Sequence, residues 1–308
     1  MKLSDDFIAM RRLGKVSETL CHPSSLDPVW HKPAQGSAMP SITHLEEIMQ
    51  RLRVALFPGF YGSARVWRES ISYHVSANLD SLYRLLSEQI RRGYCFASEA
   101  STEGCFDCET RGKSTALAFL ERLPDIRARL VGDAEAAYEG DPAATSAGET
   151  IFCYPSMHAM MNHRIAHELY ALKVPLIPRI ISEMAHSHTG IDIHPGATIG
   201  DNFFIDHGTG VVIGETCIIG DHCRLYQGVT LGAMSFPKNE DGTLTKGIPR
   251  HPILEDNVTV YAGATILGRI TVGHDSVIGG NVWVVTDVPP GSRVTQEKAH
   301  RESAARKG

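Results

Sequence analysis

The 308-residue sequence has no long apolar run, no excess of positive charge and no dense set of cysteines. No apolar run approaches the roughly 18 residues that span a bilayer, and the start has neither a basic segment nor an apolar stretch, so we expect a cytoplasmic protein. The net charge of −5 argues against a nucleic-acid partner or a membrane surface. Seven cysteines are too few for a disulfide scaffold, which favours reduced thiols. What remains is the composition of a folded globular protein.

The first half of the chain has the apolar spacing of helices. From Thr43 to Arg92, apolar residues recur every three or four positions, with a turn expected at Pro58-Gly59. Further helices are predicted in three places: near Lys113–Tyr138 with an interruption at Pro124, over Pro155–Leu172, and from Pro175 toward His186.

From about Ile191 the spacing changes to a period of six. Aliphatic residues fall six apart in three phased runs, with a slip of two residues after Val211 and a second interruption after Leu231. The positions are Ile193, Ile199, Ile205, Val211; Ile213, Ile219, Leu225, Leu231; and Ile248, Leu254, Val260, Ile266, Val272, Ile278, Val284. This period is typical of a hexapeptide β-helix, in which the aliphatic residue points inward and a glycine serves the corner. An ordinary β domain with chance spacing is the alternative.

These patterns divide the chain into four segments: a loosely ordered N-terminal arm (1–40), a helical domain (41–188), a β-helix domain (189–288) and a C-terminal tail (289–308). The polar stretch between Leu231 and Ile248 cannot be laid on a coil, which predicts a projecting loop over 233–247. Loops on rigid scaffolds commonly carry function, although a neutral insertion is the alternative.

A β-helix has no deep cleft of its own, so we expect an active site between neighbouring subunits. Asp192 and His207 are 15 residues apart, which is less than one coil of about 18 residues. They can therefore lie on neighbouring strands. A carboxylate that fixes the imidazole tautomer leaves the other ring nitrogen free to take a proton from a hydroxyl that attacks an acyl group. A surface hydrogen bond without function is the alternative for such a pair.

Two further sets of polar residues are candidates. Arg250 offers a planar fork suited to a carboxylate, and His251 adds a donor beside it. Asp141 precedes the helix predicted from Pro155, and an aspartate there is, taken alone, more often a helix N-cap or turn residue.

Together these residues resemble the serine O-acetyltransferases. The matching runs are Asp141–Ala144, Phe152–Pro155, Asn162–His167, Asp192–Pro195, Asp206–Thr216 and Arg250–Pro252. The resemblance covers roughly Ala134 to Pro290. It implies an α+β fold with an N-terminal helical domain followed by a left-handed parallel β-helix of hexapeptide repeats. It also implies transfer of acetyl from acetyl-CoA to the hydroxyl of L-serine, which gives O-acetyl-L-serine for cysteine synthesis.

The resemblance gives the acidic residues and one histidine separate roles. His207 would be the general base, and Asp192 would be its orienting carboxylate. Asp141 and Asp206 would meet the ammonium group of serine.

The remaining matched positions would bind the serine carboxylate and the co-substrate. Arg250 and His251 would hold the carboxylate, which agrees with the chemistry of their side chains. Small residues would let the pantetheine arm of CoA run along the coil, and these are Gly232, Ala233, Ala262 and Gly280. A backbone N–H near Gly232 is a candidate donor to the oxyanion.

The resemblance also implies partners. We expect a homotrimer or a dimer of trimers, with cysteine as a feedback inhibitor. Ala233 stands where the family often has a second glycine, and the loop that follows is longer here. The family's closing segment, which ends on isoleucine and enters O-acetylserine sulfhydrylase, is replaced by a different tail. We therefore do not expect a complex with that enzyme.

Two other classes of function are alternatives. One is a hexapeptide acyltransferase that acts on a different hydroxyl or amine, although the charged sets speak against a neutral sugar. The other is a zinc-dependent hexapeptide carbonic anhydrase or a non-catalytic scaffold, but the histidines of the repeat include no pair five apart. Cys95, Cys105 and Cys108 form a loose cluster without a second CxxC motif at zinc spacing, so no metal is predicted.

Overall fold

The computed structural model describes residues 5–27, 29, 38–62, 65–98, 104–235 and 237–296. Within these residues the helices are α1 (Asp5–Leu20), α2 (Pro23–Leu26), α3 (Ile42–Leu56), α4 (Ile71–Ala97), α5 (Gly104–Leu120), α6 (Leu123–Gly140), α7 (Ala147–Cys153), α8 (Pro155–Ala171) and α9 (Ile177–Thr189). The strands are β1 (Asp192–Ile193), β2 (Thr198–Ile199), β3 (Phe204–Asp206), β4 (Val212–Ile213), β5 (Ile218–Ile219), β6 (Arg224–Tyr226), β7 (Thr230–Gly232), β8 (Ile253–Leu254), β9 (Thr259–Val260), β10 (Thr265–Leu267), β11 (Thr271–Val272), β12 (Val277–Ile278), β13 (Trp283–Val284) and β14 (Arg293–Val294).

The helices begin and end where local chemistry allows. The Ser41 hydroxyl accepts a hydrogen bond from the N–H of His44 and caps α3. Pro124 and Pro155 occupy the first turns of α6 and α8, where a missing N–H costs nothing. The last helix before the strands ends at Gly190, whose φ of +70° closes the helix in the left-handed conformation.

The helices predicted from the apolar spacing are confirmed. A turn at Pro58 separates α3 from α4, and the helix predicted over Pro155–Leu172 is α8. The spacing gave no signal for α7, because a helix of seven residues is too short to show a period. It also gave none for α1, which lies within the segment predicted as an arm and whose side chains, described from Asp6 onward, are exposed.

The strands form three parallel sheets that wind into a β-helix of about five coils. Sheet I has the order β1-β4-β7-β10-β13, sheet II the order β11-β8-β5-β2, and sheet III the order β14-β12-β9-β6-β3. Ile193, Ile199 and Ile205, one from each face of the first coil, are all buried. The predicted fold class, a helical domain followed by a parallel β-helix, is therefore confirmed.

Two corners of this prism hold the candidate site residues. At the first corner the chain passes from sheet III to sheet I, and at the second corner it passes from sheet I to sheet II. In the first coil the first corner takes residues 207–211, whereas in the next coil it takes only residues 227–229. This longer turn is the physical reason for the slip in the sequence repeat after Val211.

A buried ion pair joins the helical domain to the first coil. Arg164 on α8 contacts Asp133 on α6 at 2.6 Å, with side chains 4% and 0% exposed. Arg164 also donates to the carbonyl of Gly200, and Asp133 accepts the N–H of Phe203. Because α6 leads directly into Asp141, this junction sets where that residue stands against the prism.

The predicted loop and tail carry little regular structure. Within residues 233–247, Lys238 and Leu244 form an antiparallel bridge, and Phe236 lies outside the described residues. In the tail, β14 joins sheet III, and residues 297–308 lie outside the described part, as do residues 1–4, 28 and 30–37 of the arm. Among the described helices none is long and apolar enough to cross a membrane.

Candidate active site

The first corner presents His207 to solvent. The residue has a φ of +59°, in the left-handed region that histidine adopts more often than most residues. Its side chain, at the start of the longer turn, is 71% exposed. The imidazole Nδ1 lies 3.7 Å from Oδ1 of Asp206, the preceding residue, whose side chain is only 15% exposed.

Asp192 lies at the same edge of sheet I. It opens β1 and is paired in register with Val212, which directly follows the turn that holds His207. Both side chains belong to the described residues, and no hydrogen bond joins them. The carboxylate that approaches the imidazole in this structure is that of Asp206.

Asp141 and Tyr154 complete the first corner. Asp141 follows the end of α6 and accepts hydrogen bonds from the Tyr154 hydroxyl at 2.6 Å and from the N–H of Ala143 at 2.8 Å. These donors, with the charge of His207, hold the pKa of Asp141 below its usual value. The same hydrogen bond raises the pKa of Tyr154 to about 12, and the Asp206 charge contributes. Two carboxylates, a phenol and an imidazole therefore form one cluster.

The second corner holds Arg250 against an acid. Its guanidinium donates to Oε2 of Glu215 at 2.7 Å, with the side chains 23% and 25% exposed. Burial raises the pKa of Glu215, but the hydrogen bond from Arg250 and nearby positive charges outweigh burial, so the pKa lies below its usual value. Glu215 is thus an anion that fixes the direction of the Arg250 fork.

The ring of His251 is held in one tautomer. The N–H of Thr216 donates to Nδ1 at 3.1 Å, so the proton of the neutral ring lies on Nε2. Burial and the charge of Arg250 lower the pKa of His251, which keeps the ring neutral. The hydroxyl of Thr216 accepts the backbone N–H groups of Arg250 at 2.9 Å and His251 at 3.1 Å. One threonine thereby positions the whole dipeptide.

The four small residues expected to line a CoA groove are divided between the corners. Gly232 ends β7, and Ala233 follows it at the second corner. Ala262 and Gly280 lie one coil apart at the first corner, where a Cβ added to Gly280 would stand 3.1 Å from the Ala262 carbonyl oxygen. Gly280 therefore keeps a trough open beside Ala262.

The ten candidate residues form two groups at opposite edges of sheet I. The first corner has Asp141, Asp192, Asp206, His207, Ala262 and Gly280, and the second has Gly232, Ala233, Arg250 and His251. Strand β4 runs from one edge to the other. A single chain therefore does not bring His207 next to Arg250 and His251.

Three residues that the sequence pattern does not single out hold candidate side chains in place. Tyr154 orients Asp141, Glu215 orients Arg250, and Thr216 holds His251. Each lies within a run that carried the family resemblance, so the signal was present, but a hydrogen bond across the fold is not readable from spacing.

The cysteines noted in the sequence, Cys95, Cys105 and Cys108, belong to the helical domain and not to either corner of the prism. Cys95 and Cys108 are buried, and the side chain of Cys105 lies outside the described residues. Within the described ranges, no group of three or more His, Cys, Asp and Glu side chains could hold a metal ion.

Comparisons with known proteins agree with this geometry. No family model matches the sequence. A serine acetyltransferase of Synechococcus elongatus, named as the plasmid form, is 48% identical over 91% of this chain and 89% of its own length. Isoform 3 of the Entamoeba histolytica enzyme, solved with cysteine, has a TM-score of 0.70 and 36% identity over 89% of this chain and 87% of its own. The Neisseria gonorrhoeae enzyme, solved with serine, has a TM-score of 0.53 and 26% identity over 87% of this chain and 100% of its own. The chain belongs to the serine acetyltransferase family.

Proposed function

We propose that the chain transfers acetyl from acetyl-CoA to the hydroxyl of L-serine at a seam between two subunits of a trimer. The observation that carries this proposal is the separation of the two groups by sheet I. Serine is a zwitterion, so its site needs an anion and a cation on opposite sides of the reacting hydroxyl. In a cyclic trimer the interface is heterologous, and the first corner of one chain can face the second corner of its neighbour.

The charges at the two corners fit the two ends of serine. Asp141 and Asp206 supply carboxylates for the ammonium group, and the lowered pKa keeps Asp141 ionised. Arg250 supplies a fork for the carboxylate, and Nε2–H of His251 supplies a neutral donor. A second cation would hold the carboxylate more tightly but would repel the ammonium, so a neutral ring suits this position.

His207 acts as general base. Its imidazole takes the serine hydroxyl proton as the serine oxygen forms a bond to the acetyl carbon. The oxyanion that develops is stabilised by a backbone N–H near Gly232. The C–S bond then breaks, and the CoA thiolate receives the proton from His207. Asp192 and Asp206 stabilise the imidazolium formed in between, and Asp192 becomes the orienting carboxylate once the exposed ring turns toward sheet I.

The same site accounts for inhibition by the pathway's end product. Cysteine differs from serine only in carrying a thiol in place of the hydroxyl, so both charged ends meet the same groups. A solved relative holds cysteine and another holds serine. We therefore propose that L-cysteine competes with L-serine in this chain.

A thiol-release assay with acetyl-CoA and a panel of hydroxy amino acids tests the proposal. We expect release with L-serine and a loss of at least about a hundredfold in His207→Ala, the usual scale of acid–base catalysis. His222→Ala is the matched control, because His222 is also exposed and has a φ of +56°, but at the corner between sheets II and III. Activity with a different acceptor and none with serine would instead indicate a related acyltransferase.

A further inference from the structure

Two stacked tyrosines lie at the first corner, in the two coils that follow the coil of Asp206 and His207. The rings of Tyr226 and Tyr261 lie 4.9 Å apart between centroids with an interplanar angle of 14°. Tyr226 is paired in register with Asp206, and Tyr261 follows β9 in the coil after that. Asp206, Tyr226 and Tyr261 therefore form one row along the corner, which we call the tyrosine row.

The tyrosine row ends at a glycine in the next coil. The N–H of Tyr261 donates to the carbonyl of Ile278, which places Gly279 at the next step of the row. A Cβ added to Gly279 would stand 3.0 Å from the carbonyl oxygen of Val294, so this position favours glycine. Among the residues that the structure describes, no third ring stacks on Tyr261, which is 41% exposed.

A second row of residues runs along the corner beside the two tyrosine rings. One residue later in each coil stand His207, Gln227, Ala262 and Gly280, in that order along the prism. Coils in a β-helix are spaced like paired strands, about 4.8 Å apart, so the three steps from His207 to Gly280 span roughly 14 Å. The result is a trough with His207 at one end, the exposed Gln227 beside it, Ala262 and Gly280 along the rest of its floor and two aromatic rings along one side.

We propose that Tyr226 and Tyr261 form one wall of the groove that binds the pantetheine arm of acetyl-CoA, which rests on the function proposed above. The arm is linear, with methylene and methyl groups that can pack on aromatic faces and amides that can bond to hydroxyls. Neither tyrosine hydroxyl has a hydrogen-bond partner within the described residues, so both are free to donate. The rings thus set affinity for the CoA co-substrate and leave serine binding to the charged groups.

Variants of Tyr261 test this wall by separating the two substrates. We expect Tyr261→Gly, which extends the glycine of the next coil, to raise the KM for acetyl-CoA roughly threefold to tenfold, the range for losing one aromatic contact. The KM for serine should stay within twofold, and CoA binding by calorimetry should weaken in parallel. Tyr261→Phe keeps the ring and should recover most of the affinity. Tyr226→Leu, which removes the other ring, should also weaken CoA binding.

Tyr73→Ala, at an exposed tyrosine on α4, is the matched control and should leave both KM values unchanged. An unchanged KM for acetyl-CoA in both Tyr261→Gly and Tyr226→Leu would overturn the proposal. So would dissociation of the assembly in light scattering, because the rings would then be subunit contacts. The activity of the wild type separates failure of the proposed function from failure of the tyrosine wall. If the wild type releases no CoA with serine, the proposed function fails. If the wild type is active and the tyrosine variants match it in the KM for acetyl-CoA, only the tyrosine wall is refuted.

Discussion

Thr216 offers a sharp test of how the second corner holds serine. Its hydroxyl accepts the backbone N–H groups of Arg250 and His251 and lies 2.9 Å from Nδ1 of the His251 ring. Thr216→Val replaces this hydroxyl by a methyl group of similar size. The backbone N–H of residue 216 remains, so the ring keeps its tautomer while the dipeptide loses its anchor.

The magnitude follows from the bonds removed. Each neutral hydrogen bond contributes about 0.5–1.5 kcal/mol net, so losing the two backbone bonds costs about 1–3 kcal/mol. If about half of this appears in serine binding, the KM for serine rises roughly twofold to tenfold, since 1.4 kcal/mol is a factor of ten. The KM for acetyl-CoA should change little, because Thr216 touches none of the proposed CoA positions.

Steady-state kinetics with each substrate varied in turn measure this effect. Thr259→Val is the control, because Thr259 lies on β9 and its hydroxyl has no hydrogen bond within the described residues. We expect the control to match the wild type in both KM values. A folded Thr216→Val enzyme with an unchanged KM for serine would show that Arg250 and His251 do not position this substrate.

Three further predictions concern the first corner and its support. Tyr154→Phe removes the donor that lowers the pKa of Asp141, so this pKa should rise. As the pH is lowered, the variant should therefore lose serine binding at a higher pH than the wild type, and pH profiles of kcat/KM for serine measure this shift. Asp133→Ala leaves the buried Arg164 without its anion and should destabilise the fold by about 3–5 kcal/mol in denaturant titrations; an unchanged midpoint would contradict the role of this junction. Gly280→Ala places a methyl group 3.1 Å from a carbonyl oxygen in the trough and should raise the KM for acetyl-CoA while sparing serine, and equal effects on both would argue against a CoA groove there.

Much of the fold could be predicted because its signals are local and periodic. The period of six places Ile193, Ile199 and Ile205 inside the prism, and the helical spacing places Leu45 and Leu52 in the core. The exact ends of helices and the shortest elements could not be predicted, because they depend on tertiary contacts. The helix α7 is one example, and its capping serine, Ser146, is identifiable only once the helix is known.

The sequence indicated which residues are candidates for the site, but not how their side chains are arranged. Spacing suggested that Asp192 would orient His207, whereas the structure places the Asp206 carboxylate nearest to that ring. The slip after Val211 is visible in the sequence, but only the strand register shows that it lengthens the turn that begins at His207. Contacts such as that between Arg250 and Glu215, 35 residues apart, depend on how coils stack and have no local signal.

The most direct test of the central claim mixes two inactive variants. Carrying different affinity tags, His207→Ala and Arg250→Ala are co-expressed, and assemblies with both tags are isolated. A cyclic trimer that contains both variants has one seam of three at which a native first corner meets a native second corner, so the account predicts about one third of the wild-type rate. If each chain instead holds its own complete site, the mixed trimers will remain as inactive as the separate variants, and the shared seam is refuted.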